Sequence, residues 1–429
     1  MNSTTIKPAS AVNGDIRVPG DKSISHRSIM LGAIATGVTT VHGFLRGEDN
    51  FSTMNAFRTM GVVIDDDGEV IRITGCGLHG LQEPGDVLDC GNSGTTIRLI
   101  TGLLAGQSFF SVVTGDQYLR KRPMKRIVDP LSSMGARIQG RKQGSLAPLA
   151  IQGGSLNAIG YESPVSSAQI KSSIMLAALY ADGETSVREP SLSRDHSERM
   201  FKLFGASVES ISNGVKVRGG FSLNAQEVSV PGDISSAAFF MVAALITRGS
   251  ELLIRNVGVN PTRTGVIDIL KAMGGDIQLL DQRELSGETV ADILVRSSNL
   301  KGIAIFGSVV PRAIDEFPVI CIAAACAEGL TTVRDAKELR VKETDRITAM
   351  ARSLSQLGVS ITETEDGMDI TGCERFGGGT VESCGDHRIA MSLAIAALRA
   401  SEEITVRDTD CVATSFPTFY RLLDQVASR

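Results

Sequence analysis

The chain has 429 residues and a formal net charge of −5, and 42% of its residues are hydrophobic although it contains no tryptophan. This length favours two domains of about 200 residues each, and the negative net charge gives no electrostatic reason to expect a nucleic-acid partner. The longest apolar run, 237–246, is about half as long as a membrane-spanning helix, and the polar N-terminus MNSTTIKPAS lacks a signal-peptide core. We therefore expect no membrane association.

Cysteine and histidine usage bears on metals and on the cellular compartment. The seven cysteines show no C-x-x-C spacing, which argues against a disulfide framework and against a zinc site. The five histidines are scattered and form no ligand pair at helical spacing. We expect no metal, a reducing compartment and a cytoplasmic location.

The tetrapeptide VPGD occurs twice, at 18–21 and 230–233, and each copy is followed by an apolar helical stretch that ends in glycine. Related stretches recur within both halves of the chain, so six apolar helices are predicted. The repeated design predicts a domain boundary at each copy: 21–232 forms one domain, and 1–20 together with 233–429 forms the other. In chain order the six stretches are KSISHRSIMLGAIATG, SGTTIRLITGLLAG, SSAQIKSSIMLAALYADG, ISSAAFFMVAALITRG, DEFPVICIAAACAEG and DHRIAMSLAIAALRA.

A second set of helices lies between the apolar ones, and five of them end in a glycine that precedes an apolar residue. Glycine at this place is typical of a helix C-terminus with a left-handed backbone, and the alternating residues that follow predict a hairpin. Each unit therefore reads as strand, helix, strand, helix and hairpin, which predicts an α/β fold with mixed sheets. Generic α/β layering without true repeats is the alternative. The glycines are Gly61, Gly135, Gly205, Gly274 and Gly358, and the sixth helix, YRLLDQVASR, lies at the end of the chain.

Polar residues gather where five of the six apolar helices begin. A helix N-terminus offers unpaired N–H groups and a partial positive charge, so several such ends can together form an anion site. Ordinary helix capping and solvated surface charges are the alternative. The residues are Lys22, Ser23 and Arg27; Asn92, Gly94, Thr95 and Arg98; Ser166, Ser167, Gln169 and Lys171; Asp315 and Glu316; and Asp386, His387 and Arg388.

Two further segments are densely charged. RKRPMKR at 120–126 concentrates five cations on an acidic protein, which indicates either an anion site or a solvated run. RVKETDR at 340–346 is interpreted as a helix with Lys342 and Arg346 on one face and with Glu343 and Asp345 interleaved. A carboxylate among cations can stay ionised and accept a proton from a substrate that those cations hold. A salt-bridged, solvated helix is the alternative.

Nine motifs follow one another along almost the whole chain. In order they are GDKSISHR, CGNSGTTIR, KRPM, SSAQIKS, RDHSERM, NPTRTG, RVKETDR, GDHRIAM and ATSFP. Together they resemble the 5-enolpyruvylshikimate-3-phosphate (EPSP) synthase family. The resemblance implies a two-domain inside-out α/β barrel built from six βαβαββ repeats, three per domain, with the active site in the interdomain cleft.

The resemblance also implies a reaction of the shikimate pathway, which leads to chorismate and the aromatic amino acids. The enolpyruvyl group of phosphoenolpyruvate passes to the 5-hydroxyl of shikimate 3-phosphate by addition and elimination, and phosphate is released. No metal or organic cofactor is needed. The expected partners are the two substrates, with glyphosate as a possible inhibitor, and the protein is expected to be a monomer.

Residue roles follow from the same resemblance. It implies that Asp315, Glu343 and Lys22 are catalytic and that Gly94 leaves room for a ligand beside the backbone. The implied shikimate 3-phosphate ligands are Lys22, Ser23, Arg27, Ser167, Gln169, Ser193, Arg194, Asp315 and Lys342. The implied phosphoenolpyruvate ligands are Lys22, Asn92, Gly94, Thr95, Arg122, Gln169, Glu343, Arg346, His387 and Arg388.

Three positions depart from the family pattern. Ala168 lies where many members have a second serine, Glu338 where many have asparagine, and Ser415 in ATSFP where lysine is frequent. This mixed pattern leaves sensitivity to glyphosate open.

Other functions fit parts of the same pattern. UDP-N-acetylglucosamine enolpyruvyl transferase has a similar repeat fold, but it carries a cysteine in the loop that reads GDQYLRKRPM here. A non-catalytic phosphometabolite-binding protein and a scaffold related to RNA 3′-phosphate cyclase are the remaining alternatives. The pair of acids Asp315 and Glu343 favours catalysis.

Overall fold

A computed structural model describes residues 2–428, and in it the chain separates into two units. The N-terminal unit contains Gly20–Val230 and Leu285–Glu288. The C-terminal unit contains Pro231–Glu284, the chain from Thr289 onward and the segment that ends at Pro19. Each unit has its own hydrophobic core, and the chain passes between the units within the two VPGD copies.

The short segment 285–288 departs from the predicted domain boundaries, because it belongs to the N-terminal unit. It is the tip of a hairpin formed by strands Asp276–Leu285 and Glu288–Arg296. The Glu288 carboxylate lies 2.6 Å from Nδ1 of His196, and both side chains are buried. This contact explains why the tip belongs to the N-terminal unit, although the rest of both strands belongs to the C-terminal unit.

All six predicted apolar helices are present, and three of them lie in each unit. Their cores consist mainly of alanine, leucine, isoleucine, valine and methionine side chains. The helices of the N-terminal unit are Lys22–Ile34, Gly94–Ala105 and Ala168–Ala178, and those of the C-terminal unit are Ile234–Ile246, Phe317–Ala325 and His387–Ala397.

The second set of helices is also present, and the five predicted terminal glycines all have positive φ, between 84° and 99°. Such a backbone ends a helix and strongly favours glycine. The helices are Glu48–Thr59, Lys125–Ser133, His196–Leu203, Gly265–Ala272, Arg346–Gln356 and Phe419–Val426.

Five sheets share one strand order. A first strand pairs in parallel with a central strand, and the central strand then pairs with the second strand of a hairpin. In the N-terminal unit these are Leu223–Asn224 and Glu227–Ser229 beside Ala35–His42, Val70–Cys76 and Val63–Asp66; Leu88–Asp89, Phe110–Thr114, Leu146–Gln152 and Arg137–Gly140; and Gly160–Glu162, Glu184–Arg188, Gly214–Arg218 and Ser207–Ile211. In the C-terminal unit they are Ala11–Ile16, Glu251–Gly258, Glu288–Arg296 and Asp276–Leu285, with Ala427–Ser428 at one edge; and Ala304–Ile305, Leu330–Val333, Met368–Thr371 and Ser360–Glu363.

Two smaller sheets complete the fold, which is a mixed α/β architecture. Gly379–Glu382 pairs in parallel with Ile404–Arg407, which pairs antiparallel with Ser3–Ile6. Leu156–Asn157 and Ala181–Asp182 form a parallel pair. Within residues 2–428 every sheet is open, and no closed barrel is formed.

The interpretation of 340–346 as a helix was wrong. The helix begins only at Arg346, because the Asp345 carboxylate accepts a hydrogen bond from the backbone N–H of Thr348 at 3.1 Å and caps the first turn. A 3-10 helix, Lys337–Val341, precedes it, and Lys342 is extended. The other short helical segments are Leu119–Lys121, Arg141–Gly144, Val309–Arg312 and Thr409–Thr414.

Two kinds of feature are absent from residues 2–428. No helix in this part of the chain is long and apolar enough to cross a membrane. Within the same residues, no group of three or more histidine, cysteine, aspartate or glutamate side chains could hold a metal ion.

Gly102 allows two apolar helices to approach closely. A Cβ atom at this position would collide with the backbone oxygen of Ser173 on helix Ala168–Ala178. We expect Gly102→Ala to lower the free energy of unfolding by about 1–3 kcal/mol, as overpacking of a core does, although alanine favours the helix. Urea denaturation followed by circular dichroism measures this change. Gly154→Ala is the control, since a Cβ there meets nothing within 4 Å. Equal loss in both variants, or none in either, would contradict the packing argument.

Candidate active site

Lys22 begins the first apolar helix, and the structure holds its ammonium group in place. Asp21 caps this helix by accepting a hydrogen bond from the backbone N–H of Ile24 at 2.9 Å. The Lys22 Nζ atom lies 2.5 Å from a carboxylate oxygen of Asp49, in the first turn of the next helix. The side-chain amide of Asn50 donates to the Lys22 carbonyl at 3.1 Å. The lysine is therefore anchored at the helix start by an acid that the sequence analysis did not identify.

Arg27 is a buried cation whose hydrogen bonds go to neutral groups. Its guanidinium donates to the hydroxyls of Ser197 and Ser172, each at 2.7 Å, and to the Ser23 carbonyl at 3.0 Å. The two hydroxyls also share a hydrogen bond with each other. Burial lowers the pKa of Arg27 to about 10, so the group stays protonated at neutral pH. Across residues 2–428, no carboxylate oxygen lies within 4 Å of it, although the charges of Glu198 and Asp21 act on it from farther away. An anionic ligand would be a counter-charge in direct contact.

Gly94 lies at the start of the second apolar helix, where Ser93 forms the cap. A Cβ atom on Gly94 would lie 2.9 Å from the guanidinium carbon of Arg122. The glycine therefore makes room for an arginine of this protein at the helix N-terminus. The Arg122 guanidinium also donates to the Asn92 carbonyl at 3.4 Å, while the Asn92 side chain donates to Asp116 at 2.7 Å.

Gln169 connects the second and third apolar helices. Its amide nitrogen donates to the Thr95 hydroxyl at 3.2 Å, and its amide oxygen accepts from Arg98 at 2.6 Å. Arg98 also donates to the carbonyl of Pro123, next to Arg122. The predicted residues of two motifs, CGNSGTTIR and KRPM, are thus brought together around one glutamine.

Ser167 and Ser193 meet at a single buried carboxylate. The backbone N–H of Ser167 donates to Glu189 at 2.8 Å, and the Ser193 hydroxyl donates to the same carboxylate at 2.7 and 2.8 Å. Lys171 lies 3.0 Å from Glu189 and 2.8 Å from Glu198. Glu189 was missed in the sequence because it follows a strand with no spacing pattern that links it to either serine.

In the C-terminal unit, Asp315 lies among three cations. Its carboxylate is 3.3 Å from Lys342 Nζ, 3.5 Å from Arg346 and 3.8 Å from Arg388. Arg388 also donates to the Asp315 carbonyl at 3.0 Å. The sequence pattern placed a carboxylate among cations at 340–346, and in the structure Asp315 also has such surroundings. The cations reach it from the extended residue Lys342 and from two helix starts.

Arg346 joins three acids although its side chain is only 2% exposed. It lies 2.7 Å from Asp386, 2.7 Å from Glu343 and 3.5 Å from Asp315. Burial alone would lower the pKa of Arg346, but the three carboxylates outweigh it and raise the pKa. Asp386 has a second role, since it also accepts from the backbone N–H of Arg388 at 2.8 Å and caps that helix.

Glu316 does not cap its helix, which corrects the capping interpretation of that residue. Its carboxylate instead accepts a short hydrogen bond from the Ser235 hydroxyl, and it lies 3.5 Å from Arg263 and 3.7 Å from Arg388. Nδ1 of His387, at the start of the sixth apolar helix, lies 3.3 Å from the Thr414 hydroxyl, next to Ser415. No spacing pattern predicts the contacts of Glu316 with Ser235 and Arg263, because they join segments far apart in the chain.

Comparison with known proteins places these clusters in context. A model of the family described as EPSP synthase (3-phosphoshikimate 1-carboxyvinyltransferase) matches residues 6–423. A 3-phosphoshikimate 1-carboxyvinyltransferase of Pelobacter propionicus is 73% identical over 99% of both chains, and one of Geobacter metallireducens is 70% identical over the whole of both chains. A solved EPSP synthase structure from Acinetobacter baumannii has 51% identity and a TM-score of 0.89, covering 100% of this chain and 98% of that one.

The unusual surroundings of Arg27 lead to a test of anion binding. We expect saturating inorganic phosphate to raise the melting temperature of the protein by about 2–4 °C, equivalent to ~1 kcal/mol in a domain of this size. Arg27→Met should lose most of that rise, whereas Arg72→Met, at an exposed pair with Asp67, should keep it. Differential scanning calorimetry with and without phosphate measures the shifts. An equal rise in both variants would show that Arg27 does not bind the anion.

Proposed function

The chain belongs to the EPSP synthase family, and from this premise we propose how its residues act. The protein transfers the enolpyruvyl group of phosphoenolpyruvate to the 5-hydroxyl of shikimate 3-phosphate and releases phosphate. The observation that carries the proposal is Asp315, a carboxylate with three cations within 4 Å. Both substrates are polyanions, which suits helix N-termini and arginine side chains.

The Arg27 region is proposed to bind the phosphate of shikimate 3-phosphate. The buried guanidinium lacks a carboxylate within 4 Å among the described residues, and Lys22 and Ser23 lie on the same first turn. Ser167 and Gln169 stand at the start of another helix of the same unit, where backbone N–H groups favour an anion. Lys342 is proposed as a further contact because it already lies beside Asp315.

Phosphoenolpyruvate is proposed to use the arginines and helix starts that the resemblance implied. Arg122 at Gly94, with Asn92, Thr95 and Gln169, provides one group of donors. A second group is proposed in the C-terminal unit and consists of Arg346, His387 and Arg388. Glu343 occupies one nitrogen of Arg346 in the structure, so a substrate carboxylate that binds this nitrogen must displace Glu343.

The proposed chemistry has two steps. In the addition, the 5-hydroxyl oxygen bonds to C2 of phosphoenolpyruvate, its proton passes to Asp315, and the C3 methylene gains a proton to become a methyl group. In the elimination, the bond from C2 to the phosphate oxygen breaks and a proton leaves that methyl group. Glu343 is proposed as the acid and base at C3, while Lys22 balances the charge of the departing phosphate.

Finer features of the fold and the assembly are also proposals. Five sheets with one strand order, and family membership, support six βαβαββ repeats with three in each domain. The monomeric state and the cytoplasmic location remain predictions from the sequence. Ala168, Glu338 and Ser415 differ from the common pattern, and Ser415 is proposed to leave the phosphoenolpyruvate site with one cation fewer.

A phosphate-release assay tests the proposed function directly. Purified protein is supplied with phosphoenolpyruvate and either shikimate 3-phosphate or UDP-N-acetylglucosamine as the acceptor. Phosphate release with shikimate 3-phosphate alone supports the proposal. Release with the nucleotide sugar would favour the alternative transferase, and release with neither would favour a binding protein without catalysis.

We expect Asp315→Asn to lower kcat by about 100-fold or more, the usual scale for loss of an acid or base group, and Glu343→Gln to have an effect of similar size. Both changes keep the side-chain shape and leave Arg346 with two carboxylates, so both variants should remain folded, which circular dichroism checks. Asp369→Asn, which removes a carboxylate paired with Arg334 at 2.7 Å, serves as the control and should retain full turnover. Near-native kcat in both site variants would remove these acids from the mechanism.

Glyphosate, placed in the phosphoenolpyruvate site by the family resemblance, provides a test of Gly94. We expect Gly94→Ala to weaken glyphosate more than phosphoenolpyruvate, because the added methyl group pushes against Arg122 and the bulkier ligand adapts less. Overlap of one methyl group costs about 1–3 kcal/mol where neighbours cannot relax. The measurement is the ratio of the glyphosate inhibition constant to the phosphoenolpyruvate KM. An unchanged or smaller ratio in the variant would contradict the placement.

A further inference from the structure

Ser193 is wholly occupied by contacts inside the protein. Its hydroxyl donates to both oxygens of Glu189, its backbone N–H donates to the same carboxylate at 3.1 Å, and its carbonyl accepts from Lys171 at 3.3 Å. The residue is only 5% exposed. A hydroxyl has one hydrogen to donate, so this hydroxyl cannot donate to Glu189 and to a substrate phosphate at the same time.

The Lys171–Glu189 pair, which we name the clamp, is anchored on two elements. Lys171 belongs to helix Ala168–Ala178, and Glu189 follows strand Glu184–Arg188, with its backbone N–H bonded to the Asn213 carbonyl at 2.8 Å. The two side chains are 1% and 0% exposed. Hydrogen bonds to a buried charged group are strong and directional, so the clamp fixes the position of whatever it holds.

Arg194 follows directly after Ser193 and carries a positive charge. Arg27 donates to the Ser197 hydroxyl at 2.7 Å, and Ser197 lies three residues after Arg194. Burial has the largest effect on the pKa of Arg27, and the charge of Arg194 lowers that pKa further. A phosphate bound at Arg27 would therefore lie near the segment that carries Arg194, and guanidinium groups suit phosphate. The contacts of Ser193 with Glu189 hold the start of this segment.

We propose that the clamp is a positioning element for the phosphate of shikimate 3-phosphate, and that Ser193 is its anchor point and not a substrate ligand. Through Ser193 the clamp presents Arg194 beside Arg27, and through the backbone N–H of Ser167 it orients the start of helix Ala168–Ala178. The inference rests on the proposed function. It revises the role that the family resemblance implied for Ser193.

Glu189→Gln is the first variant. Glutamine keeps the shape of the side chain and one acceptor oxygen. Its amide nitrogen replaces the second carboxylate oxygen, and this nitrogen cannot accept a hydrogen bond from Ser193 or Lys171. We expect KM and Kd for shikimate 3-phosphate to rise about tenfold or more, as loss of a buried charged acceptor does, with KM for phosphoenolpyruvate nearly unchanged. Isothermal titration with shikimate, which lacks the phosphate, should show a much smaller loss. Glu184→Gln, which alters an exposed lysine-paired glutamate on the preceding strand, is the matched control.

Two double-mutant cycles then separate positioning from a general structural effect. In the first, Glu189→Gln should have little further effect on the Kd for shikimate 3-phosphate once Arg194→Met is present. In the second, Ser193→Ala, which removes only the hydroxyl, should weaken binding in the wild type but not in the Glu189→Gln background. Additive losses in the first cycle would overturn the clamp as a device that acts through Arg194. A persistent loss in the second would show that Ser193 binds the substrate itself.

The experiments distinguish three outcomes: a variant that does not fold, a protein that lacks the proposed function, and a clamp that does not position the phosphate site. Circular dichroism and urea denaturation identify a variant that does not fold, and Ser193→Ala keeps the test valid because it leaves the clamp charges in place. A wild-type protein that neither binds shikimate 3-phosphate nor releases phosphate would overturn the proposed function and the clamp together. A fully active wild type with a Glu189→Gln variant of unchanged Kd would overturn the clamp alone.

Discussion

Positive charge buried at the starts of apolar helices is the constraint on which the rest of the protein depends. Removing a guanidinium group from water is costly unless nearby groups compensate. The protein compensates Arg27 with hydroxyl and carbonyl oxygens and Arg346 with three carboxylates. The first arrangement leaves Arg27 without a carboxylate in direct contact, so it gains from an added anion, whereas the second can exchange one of its own anions for a substrate group. One enzyme thus offers its polyanionic substrates two different kinds of electrostatic partner.

The two VPGD copies show how a repeated design acquires different roles. Asp21 and Asp233 both cap the helix that follows, so the local fold is the same. Around the second copy, however, Arg263 lies 3.5 Å from both Asp233 and Glu316, and the cation is neutralised internally. Around the first, Arg27 has no carboxylate so close among residues 2–428. The two copies therefore share the capping aspartate at the helix start. They differ in whether a carboxylate lies next to the buried arginine.

The helices were predictable from the sequence because burial and chain termination act locally. Apolar runs with a terminal glycine require only neighbours in the chain, and all of the predicted helices of both sets are present. The cations of the site were predictable, but two of its acids, Asp49 and Glu189, were not. They contact Lys22 and Lys171, which lie 27 and 18 positions away, and spacing carries no information at such range. The error at 340–346 arose because Asp345 favours a cap over continuation of a helix, a competition that charge spacing alone does not reveal.

The hairpin tip at 285–288 bears on the order in which the protein can mature on the ribosome. The N-terminal unit is nearly continuous in sequence, yet it includes Glu288, which bonds the buried His196 from 92 residues further along. A nascent chain that has emerged only as far as Val230 therefore lacks Glu288. At that stage His196 does not yet have the carboxylate that it contacts in the complete protein. Synthesis of residues 231–284 of the C-terminal unit precedes completion of the N-terminal one. If the gene were divided at the second VPGD copy, residues 285–288 would be encoded with the C-terminal fragment. The N-terminal fragment would then lack these four residues of its own unit.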